Sequence, residues 1–325
     1  MLEVTEVSGL ATVQDGGRAG WRRFGVPASG PMDVFAFRAA NMLAGNNPDA
    51  AALEIGSGDL VLRAMYDCVI AVAGVGHNLS VSSWNYSPWS SCLVRSGWTI
   101  RLSQAGFGTW SYLALAGGIE VPGILGSRST YLRGHFGGLE GRLLRSGDVL
   151  QKVRGVPPLI ELAARSVAEE ARPAYNAAPT VEVIPGPQTE HFDRQSMETF
   201  LSNPYKVSLS SDRMGYRFEG PRLELPRGAD LTSEGLMAGA IQVPADGLPI
   251  VMMADCATAG GYPKIASVIS ADLPLLAQCT PGRDKVRFRS TTVEAAQQKF
   301  RKLMLKLKMG ILSAEEDINF IVAGA

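Results

Sequence analysis

The sequence predicts a mainly β fold, on three observations. There are 36 glycines and 19 prolines among 325 residues, roughly 17% of the chain against a usual level of about 12%. Apolar and polar residues alternate in short pieces of about five residues divided by turn signals, the texture of half-buried strands. The apolar share is 46% and the charged share 19%, enough apolar material for a large core or two smaller ones.

In chain order, residues 1–151 form a Gly-rich, strand-rich region. Its strands are expected at Leu60-Val-Leu-Arg-Ala64, Cys68 to Ala73, Trp98 to Leu102 and Trp110 to Ala116. Residues 152–180 read as a linker, with Pro157-Pro158, a helix-like run from Ile160 to Ala171, and Pro173 to Pro179. Strand and turn texture returns over 181–291. The tail 292–325 opens with a helix over Thr292 to Met309, apolar at Phe300, Leu303, Met304 and Leu307 and basic at Lys299, Arg301, Lys302, Lys306 and Lys308. Ser313-Ala-Glu-Glu316 reads as a capping box for one last short helix.

The two strand-rich regions echo each other. Arg18 to Gly25 and Arg213 to Gly220 share Arg-x-Gly-aromatic-Arg-x-x-Gly. Val26 to Gly30 and Val243 to Gly247 share Val-Pro-Ala-x-Gly, and Ala116-Gly-Gly is repeated at Ala259-Gly-Gly. The same order in both halves suggests a duplicated β unit.

Several function classes are excluded or disfavoured. The 31 Lys and Arg balance 31 Asp and Glu, without the cationic surplus a general nucleic-acid binder needs. No run approaches the roughly 18 apolar residues of a membrane span, and the start Met1-Leu-Glu-Val-Thr-Glu-Val has no leader pattern, so a cytoplasmic location is expected. Cys68, Cys92, Cys256 and Cys279 are too scattered for a zinc site or disulfide framework and read as reduced, buried thiols. His77, His135 and His191 show no metal-ligand spacing, and no metal is expected. Neither a phosphate-binding P-loop nor a Gly-x-Ser-x-Gly elbow occurs. Leu307-Lys308-Met309 resembles a biotin attachment tripeptide, but it ends an amphipathic helix where a biotinylated lysine needs a tight hairpin.

The chemically able residues fall in five Gly-rich segments: Thr12 to Asp33 with Asn41 and Asn46; Gly117 to Arg142; Ser211 to Arg217; Ser233 to Pro244; and Asp255 to Lys264, followed by Asp272. Glycines let backbone N–H groups approach a ligand, and arginine forks clasp carboxylates. These segments therefore point to an anion- or carbonyl-binding site. Lysine is scarce, 8 against 23 arginines, with four of the eight in the terminal helix. A lysine after Gly260-Gly261-Tyr262-Pro263, near Asp255, is placed to polarise a carbonyl or stabilise an oxyanion.

The strings Thr12-Val-Gln-Asp-Gly-Gly-Arg-Ala-Gly20, Gly25 to Asp33, Ala52-Leu-Glu54, Gly126-Ser-Arg-Ser-Thr130, Ser211-Asp-Arg-Met-Gly-Tyr-Arg217, Gln242-Val-Pro244 and Gly260-Gly-Tyr-Pro-Lys264 resemble the KipA family. That family includes the C-subunit of ATP-dependent 5-oxoprolinase and the KipA-like part of urea carboxylase and urea amidolyase, also labelled allophanate hydrolase subunit 2. The resemblance spans about residues 4–289. It implies two cyclophilin-like β-barrel domains, with a KipI-like and a LamB/YcsF-like protein as partner subunits. It also implies ATP use by the assembly in opening 5-oxo-L-proline to glutamate. The chain alone is then expected to be inactive. The alternatives are biotin-dependent carboxyl transfer to urea or a related amide, and a regulatory module that antagonises a KipI-like kinase inhibitor.

Within the first reading, Lys264, Asp255, Arg213 and Arg217 are the expected catalytic residues. Asp15, Arg18, Ser29, Asp33, Asn41, Glu54, Arg128, Ser129, Thr130, Gln242, Thr258, Gly260, Gly261 and Tyr262 are the expected substrate-binding residues. The chain departs from the family at Cys256-Ala257, where Arg-Gln is usual, and at Trp110, where Arg is usual.

Overall fold

The fold is taken from a computed structural model that describes residues 1–153 and 160–313. Contacts divide the chain into two units. One holds Met1–Gly17, Asp33–Pro173 and the chain from Met304 onward, and the other holds Arg18–Met32 and Ala174–Leu303. Composition divides the chain at 151, 180 and 291, whereas the units interleave.

The first unit contains β1 (Leu2–Val7), β2 (Ala11–Gln14), α1 (Val34–Leu43), β3 (Ala52–Ile55), β4 (Leu60–Ala64), β5 (Cys68–Gly74), β6 (His77–Val81) and β7 (Trp84–Tyr86). It continues with β8 (Ser90–Val94), β9 (Thr99–Gln104), β10 (Ser111–Leu115), β11 (Ile119–Glu120), β12 (Val149–Lys152) and β13 (Arg165–Val167). Two seven-stranded sheets result, ordered β11-β12-β1-β4-β9-β6-β7 and β2-β3-β10-β5-β8-β13 with a last strand from the tail. All four strands expected from alternation in this region are present, as β4, β5, β9 and β10. Their inward residues, among them Leu60, Leu62, Ile70, Val72, Ile100, Leu102, Leu113 and Leu115, make one core. Helix α1 starts where the Asp33 side chain accepts the Ala36 N–H at 2.9 Å, satisfying one of the unpaired donors of its first turn.

The second unit contains β14 (Thr180–Pro185), α2 (Arg194–Ser202), β15 (Tyr205–Val207), β16 (Gly215–Glu219), β17 (Glu234–Gly235), β18 (Ala240–Gln242), β19 (Ile250–Met252), β20 (Ala259–Gly260), β21 (Lys264–Val268), α3 (Leu273–Ala277) and β22 (Lys285–Ser290). Seven of these strands close a barrel, β14-β21-β18-β19-β16-β15-β22, shut by the parallel pairing of β14 with β22. Phe200, Tyr205, Phe218 and Phe288 are buried against one another, with the Phe200 and Phe288 rings stacked at 4.6 Å between centroids. Outside the barrel, β17 and β20 form a two-stranded ribbon with Glu234 opposite Gly260. α4 (Val293–Met309) is the helix expected from its apolar spacing, and β23 (Ile311–Ser313) follows and pairs with β13.

Two expectations are corrected. The run from Ile160 to Ala171 is not a helix but two 3-10 turns around β13. Its backbone is taken by the neighbouring strand and turn, with Val167 N–H donating to Trp89 O at 2.9 Å and Arg165 N–H to the Ser91 hydroxyl at 3.0 Å. The echoing motifs also differ in conformation. Arg18 to Gly25 is turn and 3-10 helix, whereas Gly215–Glu219 is a barrel strand. Ala116-Gly117 is a turn, whereas Ala259-Gly260 is a ribbon strand. At these positions the two backbones differ, as glycine permits either. Pro157-Pro158 and the capping box beyond Ser313 lie outside the described residues.

Candidate functional site

Lys264 begins β21 and is 8% exposed. Its ammonium donates to Glu234 Oε2 at 2.5 Å, and Gln188 Nε2 donates to the same oxygen at 2.9 Å. The Lys264 N–H in turn donates to Gln188 Oε1 at 3.2 Å, so one carboxamide braces the lysine through its backbone and reaches the acid paired with it. Gly186 makes this approach possible: a Cβ there would stand 2.0 Å from the Lys264 carbonyl oxygen. Gln242, 5% exposed on β18, donates to the Tyr262 carbonyl at 3.3 Å. It also lies so close to Gly260 that a Cβ would come within 2.8 Å of its Nε2.

The ion pair is asymmetric. The lysine side chain is 10% exposed and the Glu234 side chain 49%. The Lys264 hydrogen bond and charge, with the Gln188 hydrogen bond, hold the Glu234 carboxyl below its ordinary range. The group thus presents a shielded ammonium, two carboxamides and a ribbon of small residues, a donor set suited to the oxygens of an amide or a carboxylate.

Arg213 and Asp255 form a separate, closed pair. Arg213 Nε donates to Asp255 Oδ2 at 2.8 Å and Nη2 to Oδ1 at 3.1 Å, with both side chains under a tenth exposed. Arg213 Nη2 also donates to Gly30 O at 2.8 Å, which ties the Arg18–Met32 segment into the second unit. Within that segment Arg18 is fully buried, its N–H donating to Ala28 O at 2.6 Å, and Ser29 takes a positive φ of 54°. Arg22 reaches the Leu236 carbonyl and donates to Ala257 O at 3.3 Å. Arg217 is exposed on β16, and Thr258 O accepts the Leu236 N–H at 2.9 Å at the ribbon's edge. Gly261 and Tyr262 follow the ribbon, Tyr262 being 41% exposed.

The remaining expected residues are in the first unit, where they hold loops. The Asp15 carboxylate accepts from the Ser127 hydroxyl at 2.6 Å, the Ser129 hydroxyl at 2.7 Å, the Arg128 N–H at 2.5 Å and the Gly17 N–H at 3.0 Å. Burial pushes this carboxyl upward, but the four hydrogen bonds outweigh it and hold it below its ordinary value. Arg128 Nε donates to Val121 O at 3.0 Å and Thr130 Oγ1 to Val13 O at 2.9 Å. Asn41 Nδ2 donates to Ala50 O at 2.9 Å. Tyr112 joins the other two acids, donating its hydroxyl hydrogen to Glu54 Oε2 at 2.8 Å while its oxygen accepts the Asp33 N–H at 2.8 Å. Burial and then the Glu54 charge push that phenol well above its ordinary value.

At the departures from the family pattern the side chains are neutral, Cys256 and Trp110 being buried and Ala257 exposed. Cys256 is fully buried with Leu236 and Met252, burial pushing its thiol up, and Trp110 is 5% exposed. The other three cysteines are also buried and unbridged. Glu234 and Gln188 are not among the expected site residues. Glu234 sits inside a chemically able segment, so its residue type is visible, whereas nothing local marks Gln188. An open cleft of about 390 Å³ in the second unit, lined by Arg222, Glu224, Asp246 and Gly247 among others, contains none of the expected residues. Among the described residues no helix is long and apolar enough to cross a membrane.

Residues 24–290 match the family described as carboxyltransferase domain, subdomain A and B. The chain is 38% identical to the C-subunit of the Escherichia coli 5-oxoprolinase over 91% of its length and 93% of that protein. It is 35% identical to the C-subunit of the Haemophilus influenzae 5-oxoprolinase over 93% of its length and 95% of that protein. The crystal structure of the K. lactis urea amidolyase superposes with a TM-score of 0.88 at 29% identity, covering 97% of this chain and 20% of that one. With the family matched over most of its length and two such relatives covered nearly end to end, the chain belongs to the carboxyltransferase-domain family, subdomain A and B.

Proposed function

We propose that the chain is the C-subunit of an ATP-dependent 5-oxoprolinase, opening 5-oxo-L-proline to L-glutamate together with a KipI-like and a LamB/YcsF-like subunit. The identity to the 5-oxoprolinase C-subunit over more than nine tenths of both chains carries this reading. The second unit is read as a cyclophilin-like barrel, in keeping with its closed ring of seven strands, whereas the strands of the first unit lie in two seven-stranded sheets.

In this reading Lys264 supplies positive charge to a substrate oxygen, Gln242 and Gln188 orient its polar edge, and the Gly260-Gly261-Tyr262 ribbon flanks it. Arg213 and Asp255 act as a clasp on the Arg18–Met32 segment rather than on the substrate. The described partners of the Lys264 ammonium, a carboxylate braced by a carboxamide, suit a carbonyl or a single carboxylate and do not fit a triphosphate. ATP use is therefore assigned to the assembly.

A second reading, biotin-dependent carboxyl transfer to urea or a related amide, draws on the urea amidolyase likeness. Lys308 does not serve as a biotin anchor in that reading, since it lies in the last turn of α4. Mixing the purified chain with its two partner subunits, ATP and 5-oxo-L-proline is expected to release glutamate, and the chain alone to release none. Carboxylation of urea in the presence of a biotin carboxylase and carrier, without lactam opening, would replace the first reading with the second.

A further inference from the structure

The Lys264 site already holds an anion, and that anion belongs to the protein. Two donors on separate segments, Lys264 Nζ on β21 and Gln188 Nε2 after β14, converge on one oxygen of Glu234, at 2.5 and 2.9 Å. An ammonium and a carboxamide aimed at a single carboxylate oxygen is how a carboxylate ligand is bound. The donors are both buried, 8% exposed in each case. The carboxylate is half exposed and comes from a ribbon strand only two residues long. Isolated two-stranded ribbons are only marginally stable, and a half-exposed glutamate leaves its partners by a change of rotamer alone.

We propose that the Glu234 carboxylate is a resident stand-in for the carboxylate of the substrate, which displaces it from Lys264 and Gln188. This rests on the reading above that Lys264 meets the substrate, and it narrows the substrate class to compounds bearing a free carboxylate next to an amide. 5-Oxo-L-proline has that group and urea does not. A neutral amide has no charge to exchange and leaves the internal pair in place. A carboxylate ligand restores the same charge balance, so selection follows from the exchange of one anion for another. Acid does not open the pair near neutral pH, because Lys264 and Gln188 hold the Glu234 carboxyl below its ordinary range. A competing anion does.

Calorimetric titration of the full-length chain tests this without partners or turnover. The probes are 5-oxo-L-proline, acetate as a bare carboxylate, and 2-pyrrolidinone as the lactam without its carboxylate. Glu234→Gln keeps the shape and removes the competing charge. It is expected to tighten 5-oxo-L-proline and acetate by about fivefold, the scale of a partly exposed ion pair, and to leave 2-pyrrolidinone unchanged. Glu234→Ala should show the same selectivity, and circular dichroism confirms that each variant is folded. Unchanged or weaker carboxylate binding in both variants, equal tightening of the neutral lactam, or no carboxylate binding to any of the three proteins would overturn the displacement. Acetate tightening without any binding of 5-oxo-L-proline would keep the displacement and remove the 5-oxoproline reading.

Discussion

Arg213 and Asp255 carry opposite charges in a place where water barely reaches, and their energetics follow from that. Removing one partner leaves the other as an uncompensated buried charge, at a cost of about 3–5 kcal/mol. Arg213→Ala is therefore expected to lower the unfolding free energy measured in urea by that amount, whereas the double change Arg213→Met with Asp255→Leu should recover most of the loss. An Arg213→Ala protein as stable as the native one would show that the pair contributes nothing. Asp15 makes a different prediction. Its carboxyl is held below its ordinary value in the folded chain, so its contribution is present above the unfolded value and is lost as pH falls through the folded one. The stability gap between native protein and Asp15→Asn should be widest near neutrality and close in acid, and a gap that widens in acid would contradict the hydrogen-bond account. Lys264 can be singled out in the sequence because lysine is rare and follows Gly-Gly-Tyr-Pro. Its partners cannot, since Glu234 and Gln188 lie 30 and 76 positions away and become neighbours only through barrel closure.

Elements are legible where side chains alternate and obscure where pairing decides. β4, β5, β9, β10 and α4 follow from periodicity, because each has one face to bury. β13 does not: its sequence suits a helical turn, and pairing with β8 on one side and β23 on the other makes it a strand. The turn after β14 is the element on which the site depends most. Gly186 lets the chain pass against the Lys264 carbonyl, with room for no Cβ, since one would lie 2.0 Å from that oxygen. Gly186→Ala must shift the backbone of β21 or of the turn, for about 1–3 kcal/mol of overpacking strain. It should also weaken 5-oxo-L-proline binding by moving Gln188. A Gly186→Ala protein with native stability and native binding would show that this approach is not needed.

At the scale of the whole molecule, the sequence indicates two strand-rich regions but not their interleaving. The Arg18–Met32 segment belongs by position to the first region and by contact to the second unit, held through Gly30 and Arg22. No local pattern encodes a partner almost two hundred residues away. The same long reach explains why residues expected in one site divide between the units. Asp15, Ser129 and Thr130 brace a loop of the first unit, whereas Lys264 and Gln242 gather in the second. In the proposed function, substrate turnover depends on the Lys264 charge. The most direct test is the rate of ATP-dependent glutamate release from 5-oxo-L-proline by the reconstituted three-subunit assembly, native against Lys264→Ala, with assembly checked by gel filtration. An intact assembly with a rate lower by about 100-fold or more is expected; an intact assembly turning over at the native rate would rule out this role for Lys264.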